Sequence, residues 1–371
     1  MTLDRHGKRH YQLIDADTHV NEPPDLWKDR VPSKFKDRAP RMERFDAGDA
    51  WILEGVKDPI NFGLNAAAGM PLADMRQWMF WEEVRPGGYD PKARLAEMDA
   101  DQVDAQVFYP TPRLSHSLFA NTDAEFHTAL IRAYNDWLAE FCSEDTSRLG
   151  GIMLLPNRGV DGAVAEFERM IAHPGIKGAL IGCWPHGDLE LTPQDDAIFA
   201  LAAEANVPLH IHVGLINEMP GAHKAKLPGD VRLYDAPTRL LQLLWGGVFE
   251  RFPDLVTAFV ETDIGWVPYL KEQLDDRWYR LRLYEQMDMP NPPSFYFERN
   301  IYFTFITDAY GIRNRHDIGV ERIMWSSDYP HLPGNWPTSW RTLNASFSGV
   351  PPEERHLIVA GNAQRLYRFS Q

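Results

Sequence analysis

Cysteine is scarce: Cys142 and Cys183 are the only two in 371 residues. Two thiols cannot staple a chain of this length, which excludes a disulfide-built scaffold and points to a reducing compartment. Neither lies in a C-x-x-C pair, so both read as small buried hydrophobes. Positive charge is short as well. Lys and Arg number 38 against 53 Asp and Glu, a formal charge of −15. Nucleic acids and anionic membrane surfaces need a basic face, so neither is expected as a partner; a small basic pocket is not excluded. No run of 18 apolar residues occurs, and the opening MTLDRHGKRHYQLI has no apolar stretch behind its charges. A membrane span and a secretory leader are therefore not expected, and a cytoplasmic protein is. Also missing are a repeat of 20–50 residues, a G-x-G-x-x-G fingerprint and a Walker A loop.

What is present is ordinary globular material: 44% hydrophobic residues, 12 Trp and 19 Phe, enough for a large core or an aromatic-lined pocket. Eight short, nearly continuous apolar runs stand out: Tyr11–Asp17, Val103–Pro110, Leu149–Pro156, Ile176–Cys183, Val207–Val213, Leu255–Glu261, Asn300–Phe305 and Arg322–Asp328. Such runs suit strands buried on both faces of a parallel sheet. Between them lie helical patterns. Asp161–Ala172 has apolar residues at helical spacing, Asp195–Ala205 starts on a candidate N-cap aspartate, and Asp123–Cys142 is the longest.

Alternation of strand and helix gives the α/β class, and eight strands without a phosphate loop favour a (β/α)8 barrel over an open sheet. Such a barrel takes about 250 residues. The surplus falls mainly at Asn21–Pro91, with smaller parts at Gly214–Thr238 and Asp275–Arg299. The reading is one domain over 1–371, with these segments as loops or helical insertions over the mouth or at a subunit contact.

Barrel enzymes carry their chemistry at the C-terminal ends of strands. The first run ends Asp15-Ala-Asp17-Thr-His19, followed by Glu22. Strand alternation places Asp15, Asp17 and His19 on one face, with Asp17 and His19 able to share a metal. The alternative is a cap and a surface histidine. The fifth run carries His210 and His212, again two apart; paired imidazoles on one face of an apolar strand signal metal ligation more than a lone core histidine does. The sixth run ends in Glu261 and the eighth in Asp328, with His331 one turn further on. A carboxylate ending an apolar run needs a cation or donors around it. A loop cap is the competing reading for Asp328. Together these positions offer oxygen and imidazole donors and no thiolate, which suits zinc, manganese, iron or cobalt.

Five segments carry a resemblance: IDADTHVNEP (14–23), VPLHIHVG (207–214), FPDLVTAFVETDIGW (252–266), RIMWSSDYPH (322–331) and GNAQRLYRF (361–369). In this order they resemble the amidohydrolase superfamily, in the branch that includes 2-amino-3-carboxymuconate-6-semialdehyde decarboxylase and γ-resorcylate decarboxylase. The resemblance implies a distorted (β/α)8 barrel and a divalent metal. Its ligands map to Asp17 and His19 after the first strand, His212 after the fifth and Asp328 after the eighth; the family's sixth-strand histidine falls on Glu261. Two positions depart from the pattern, Asp17 and Glu261, each a carboxylate in place of an imidazole. An oxygen-richer site favours manganese or iron over zinc. Glu261 also opens the prospect of a second metal, with His210, Glu22 or His331 completing its shell.

Three functions follow. The first is a mononuclear hydrolase or non-oxidative decarboxylase of a small carboxylate or aromatic substrate, with Asp328, Glu261 and His210 as candidate catalytic residues. Arg113 and Trp184, after the second and fourth strands, and Tyr329, after the eighth, are candidate substrate contacts; loop packing explains them equally well. The second is a dinuclear iron or manganese/iron monooxygenase on the same fold. The third is an inactive barrel acting as a partner subunit. The resemblance also implies a homodimer, or a complex with a related subunit.

Overall fold

The computed structural model describes residues 2–3, 9–212, 231–287, 289–332 and 334–369. Eight parallel strands run side by side in chain order: β1 Ile14–His19, β2 Ala105–Tyr109, β3 Leu149–Leu154, β4 Ile176–Leu180, β5 Leu209–His212, β6 Thr257–Val260, β7 Ile301–Phe305 and β8 Ile323–Trp325. Each of the eight apolar runs overlaps a strand, and β1 continues two residues past its run to His19. Nearly every strand residue is buried, as expected for a sheet lined inside and covered outside by helices. Among the described residues no backbone ladder joins β8 to β1. That seam closes just beyond β8 instead, where Asp328 N–H donates to Asp17 O at 3.0 Å and His19 N–H to Tyr329 O at 2.6 Å. The result is a nearly closed, distorted barrel.

The predicted helices are found at Ala124–Cys142, Val160–Met170 and Asp196–Ala205. Asp123 caps the first, its side chain accepting from Phe126 N–H. Asp195 does not cap the third. Its carboxylate accepts instead from the His186 and Thr192 amides at 3.0 Å each, so backbone donors outside the helix have won the aspartate.

The insertion after β1 is more regular than a loop. It holds a helix, Leu26–Arg30, and a three-stranded antiparallel sheet of Arg41–Phe45, Gly48–Ile52 and Ile60–Asn61. Phe62, Ala66, Met79 and Val84 form a small apolar cluster of its own. The segment from the last of these strands onward crosses three strand ends. Arg113, after β2, donates to Asn61 O at 3.0 Å. Asn21, after β1, donates to Asn65 O at 3.1 Å. Ala68 N–H reaches Pro330 O at 2.9 Å, and Leu332 N–H reaches Leu64 O at 2.9 Å, both after β8. The insertion thus forms one wall of the mouth. In the second surplus segment, residues 214–230 lie outside the described residues. The third contains the end of the helix Val267–Leu281 and the helix Pro293–Asn300. Among the described residues no helix is long and apolar enough to cross a membrane.

Candidate metal centre

The strand ends bring the expected donors together. Asp17, His19, His212 and Glu261 place one donor atom each within 4.8 Å of one another, and His19, Asp328 and His331 do the same. His19 Nε2 lies 3.6 Å from Asp17 Oδ1 and 3.2 Å from Asp328 Oδ1. His212 Nε2 lies 3.3 Å from Asp17 Oδ1 and 3.8 Å from Glu261 Oε2. His331 Nδ1 approaches Asp328 Oδ1 to 2.8 Å, and its ring stacks on His19 with centroids 3.9 Å apart.

Backbone geometry aims these groups. Glu261 and Asp328 both sit at positive φ, +56° and +59°, where non-glycine residues are rare and cost about 1–3 kcal/mol. Each kink turns a carboxylate over the barrel just past its strand. Glu261 N–H is held there by the Thr304 hydroxyl on β7 at 2.8 Å. His19 Nδ1 lies 2.8 Å from Pro110 O. Donation of Nδ1–H to that carbonyl leaves Nε2 as the free lone pair facing Asp17 and Asp328.

The electrostatics are those of a desolvated centre. Asp17, His19, His212 and Asp328 have no solvent exposure, and Glu261 is 9% exposed. Burial, with His331 beside it, pushes His19 down to about 4 and outweighs the pull of the carboxylates. Burial likewise takes His331 down to about 3. Both imidazoles are neutral near pH 7, the form that ligates metal. Burial raises the Asp328 carboxyl against the opposing pull of His19. For Asp17 burial also favours the proton, but His212 and then His19 outweigh it and hold the carboxyl below its usual value.

These residues fit a divalent cation. Among the described residues, Asp17 Oδ2, His19 Nε2, both Asp328 oxygens and His331 Nε2 are buried without a hydrogen-bond partner. Stranded polar atoms are costly, and a common acceptor of their lone pairs relieves all of them together. Ligands about 2.1 Å from one ion lie roughly 3–4 Å apart, the range of the separations above.

Other candidates lie elsewhere. His210 joins neither donor group. Its Nδ1 meets the Tyr109 hydroxyl at 2.7 Å and its ring stacks on Tyr367, deeper along β5. Strand alternation puts it on the inner face as expected, but one layer below the centre. Glu22 is buried yet also outside both groups, its Oε1 accepting Thr111 N–H at 2.9 Å. Tyr329 donates its hydroxyl to Glu97 and lies under the Arg94 guanidinium, so it packs behind the wall instead of lining the mouth. Trp184 donates Nε1 to Leu189 O at 3.0 Å and packs edge-on to Phe199. Arg113 remains exposed at the rim, and among the described residues only its Nη1 is engaged, on Asn61. Tyr109 was not singled out in the sequence; its ring lies 5.0 Å from that of His212 and 6.1 Å from that of His19. The aromatic end of β2, FYP, is the signal that marks it.

Asp15 departs from the expected face. The β1–β2 register pairs Asp15 with Gln106 and Thr18 with Phe108, so β1 spends one extra residue between them. This bulge turns Asp15 to the outer face, where Gln106 Nε2 donates to it at 3.2 Å. Burial raises its carboxyl to about 7.

Comparison with known proteins agrees with this geometry. Residues 14–369 match the sequence family described as amidohydrolase. A γ-resorcylate decarboxylase from Polaromonas sp. is 25% identical over 317 residues, 78% of this chain and 91% of that one. Among solved structures, an amidohydrolase from Mycobacterium avium subsp. paratuberculosis superposes with a TM-score of 0.74 at 22% identity, over 97% of this chain and 98% of that one. A 5-carboxyvanillate decarboxylase from Novosphingobium aromaticivorans with bound manganese gives 0.69 at 19% identity, over 99% and 100%.

Proposed function

This chain belongs to the amidohydrolase family, and on that premise we propose that it is a divalent-metal-dependent carboxy-lyase. It would remove carbon dioxide from a small aromatic carboxylate without an oxidant. The observation that carries this reading is the set of buried, unpartnered donors on Asp17, His19, Asp328 and His331 beside His212 and Glu261. The decarboxylases among its relatives support the choice of reaction.

Asp17, His19, His212 and Asp328 would hold the cation. When bound, it would supply Lewis acidity toward an anionic substrate. The chain's own residues handle the proton. Of the two carboxyls in this set, Asp17 is held below its usual value by His212 and His19 while burial raises Asp328, so Asp328 is the better suited of the two to carry a proton. As the bond from ring to carboxylate breaks, its electron pair stays on the ring carbon and takes that proton, and carbon dioxide leaves. Glu261, the most exposed of the acids, is placed to return a proton from solvent. Arg113, exposed at the rim, is the cationic contact for an anionic substrate.

One ion is favoured over two. Both donor groups need His19, and its Nδ1 is committed to Pro110, leaving a single lone pair. Manganese, in keeping with the carboxylate-rich shell and with the relative that binds it, is the proposed metal. The oxygenase reading gains nothing from these relatives, and the full donor set argues against an inactive barrel. We place the protein in the cytoplasm as a homodimer. The exposed Tyr269, Tyr279 and Tyr284 of the 267–287 region support association, and light scattering in solution tests it.

The deciding experiment strips the protein of metal and reloads it with manganese, iron or zinc. Carbon dioxide release from hydroxybenzoates is then followed under argon. Release that depends on metal and not on oxygen is expected. Ester or amide hydrolysis without carbon dioxide, or an absolute need for oxygen, would reject the reading.

A further inference from the structure

Four donors of the centre come from the two strands that, among the described residues, no ladder joins. Asp17 and His19 belong to β1, Asp328 and His331 to the loop after β8, and the distance between these pairs decides whether one ion can reach both. Two backbone hydrogen bonds cross the seam at the donors themselves, Asp328 N–H to Asp17 O and His19 N–H to Tyr329 O. Two bonds hold the seam less firmly than a continuous ladder would.

A side chain supplies the next rung. On the outer face, Asp15 Oδ1 accepts Ser327 N–H at 2.8 Å, and Oδ2 accepts the Ser327 hydroxyl. Ser327 is the residue before Asp328. Asp15 is itself held: Gln106 Nε2 donates to it at 3.2 Å, and Arg94 Nε donates to Gln106 Oε1 at 2.6 Å. Arg94 then returns to β1, its Nη1 donating to His19 O at 3.1 Å. The chain Ser327–Asp15–Gln106–Arg94–His19 is a closed, solvent-free circuit in which each member is at most 3% exposed. It is shut off from solvent, yet it ends on the residue before one donor and on the backbone of another.

We propose that Asp15 is a positioning residue that sets the spacing between the β1 and β8 halves of the metal centre by clamping Ser327. The bulge in β1 makes this possible, since without it Asp15 would face inward with Asp17. A carboxylate suits the task because it accepts both Ser327 donors at once, which no backbone carbonyl in a regular ladder does. This inference rests on the reading of Asp17, His19 and Asp328 as ligands, but not on the reaction assigned to them.

The test is manganese affinity of the folded protein, measured by titration and by the electron paramagnetic resonance signal of free manganese. Asp15→Asn turns one acceptor into a donor facing Ser327, and its affinity should fall about ten- to a hundredfold, the range for lost outer-sphere support. Ser327→Ala removes only the hydroxyl and should lose a few-fold, with an altered signal of the bound ion. If Asp15→Asn fails to fold, Ser327→Ala decides alone. Affinity and bound-ion signal equal to the wild type in the folded variant, with only a lower melting temperature, would make Asp15 purely structural and overturn the proposal. A wild type that binds no manganese would overturn it together with the proposed centre. A wild type that binds manganese but releases no carbon dioxide would reject the proposed reaction alone.

Discussion

Asp15 and Asp17 stand two residues apart on one strand and face opposite sides of the barrel wall. Asp17 faces inward within 3.3 Å of His212 Nε2, and Asp15 faces outward onto Ser327 and Gln106. The extra residue that β1 inserts against β2 separates them. One strand thereby serves the chemistry on one face and the closure of the barrel on the other.

Asp328→Asn is expected to leave the fold intact and to lower carbon dioxide release by at least about a thousandfold, since removing a group that acts in the transition state costs several kcal/mol. Circular dichroism and product analysis on the manganese-loaded variant check this. Full activity would remove Asp328 from the centre.

His210 and His212 should separate cleanly. His212→Ala is expected to lose bound metal, whereas His210→Asn should retain the wild-type stoichiometry, because its Nδ1 is engaged with Tyr109 outside both donor groups. Elemental analysis of the two variants decides; metal loss in His210→Asn would put that histidine back among the ligands.

Gly178→Ala is expected to destabilise the barrel by about 1–3 kcal/mol, the usual cost of overpacking. A Cβ on this β4 residue would stand 2.4 Å from His210 Nε2 and 3.0 Å from Ile152 Cδ1. A melting temperature unchanged from the wild type would show that the ring moves aside freely.

Glu22 makes stability depend on pH. Burial raises its carboxyl from 4.5 to about 7. Between these values the unfolded chain has released the proton and the folded chain still holds it, so stability falls as pH rises through the window, by on the order of 3 kcal/mol in all. Glu22→Gln should match the wild type below that window and exceed it in stability above pH 7. Urea midpoints of metal-free protein at several pH values give the comparison; parallel curves would count against it.

Removing the metal should itself destabilise the protein. An ion at a thousand times its dissociation constant adds about 4 kcal/mol by mass action, and the stranded donors lose their acceptor when it leaves. Calorimetry before and after chelation measures the shift, and coincident melts would argue that no ion is held.

Much of this protein is legible in its sequence because the determining signals are local. A continuous apolar run marks a doubly buried strand wherever it lies, so all eight strands could be placed. Carboxylates and imidazoles at the ends of such runs are conspicuous for the same reason, which is why Asp17, His19, His212, Glu261, Asp328 and His331 could be named in advance. What only the tertiary structure decided depends on register and depth. A bulge leaves the alternation of residue types unchanged while reversing the face of one side chain, so Asp15 reads as a neighbour of Asp17 until β1 is paired with β2. His210 and His212 share a face in any strand, and only the assembled barrel shows that one lies at the centre and the other a layer below, against Tyr109. Tyr329 and Trp184 sit at strand ends in the sequence, but Glu97 and Gln242, which their side chains meet, come from helices that only folding brings beside them. Spacing along the chain determined which chemistry was available, and packing across the seam between β1 and β8 decided where it was assembled.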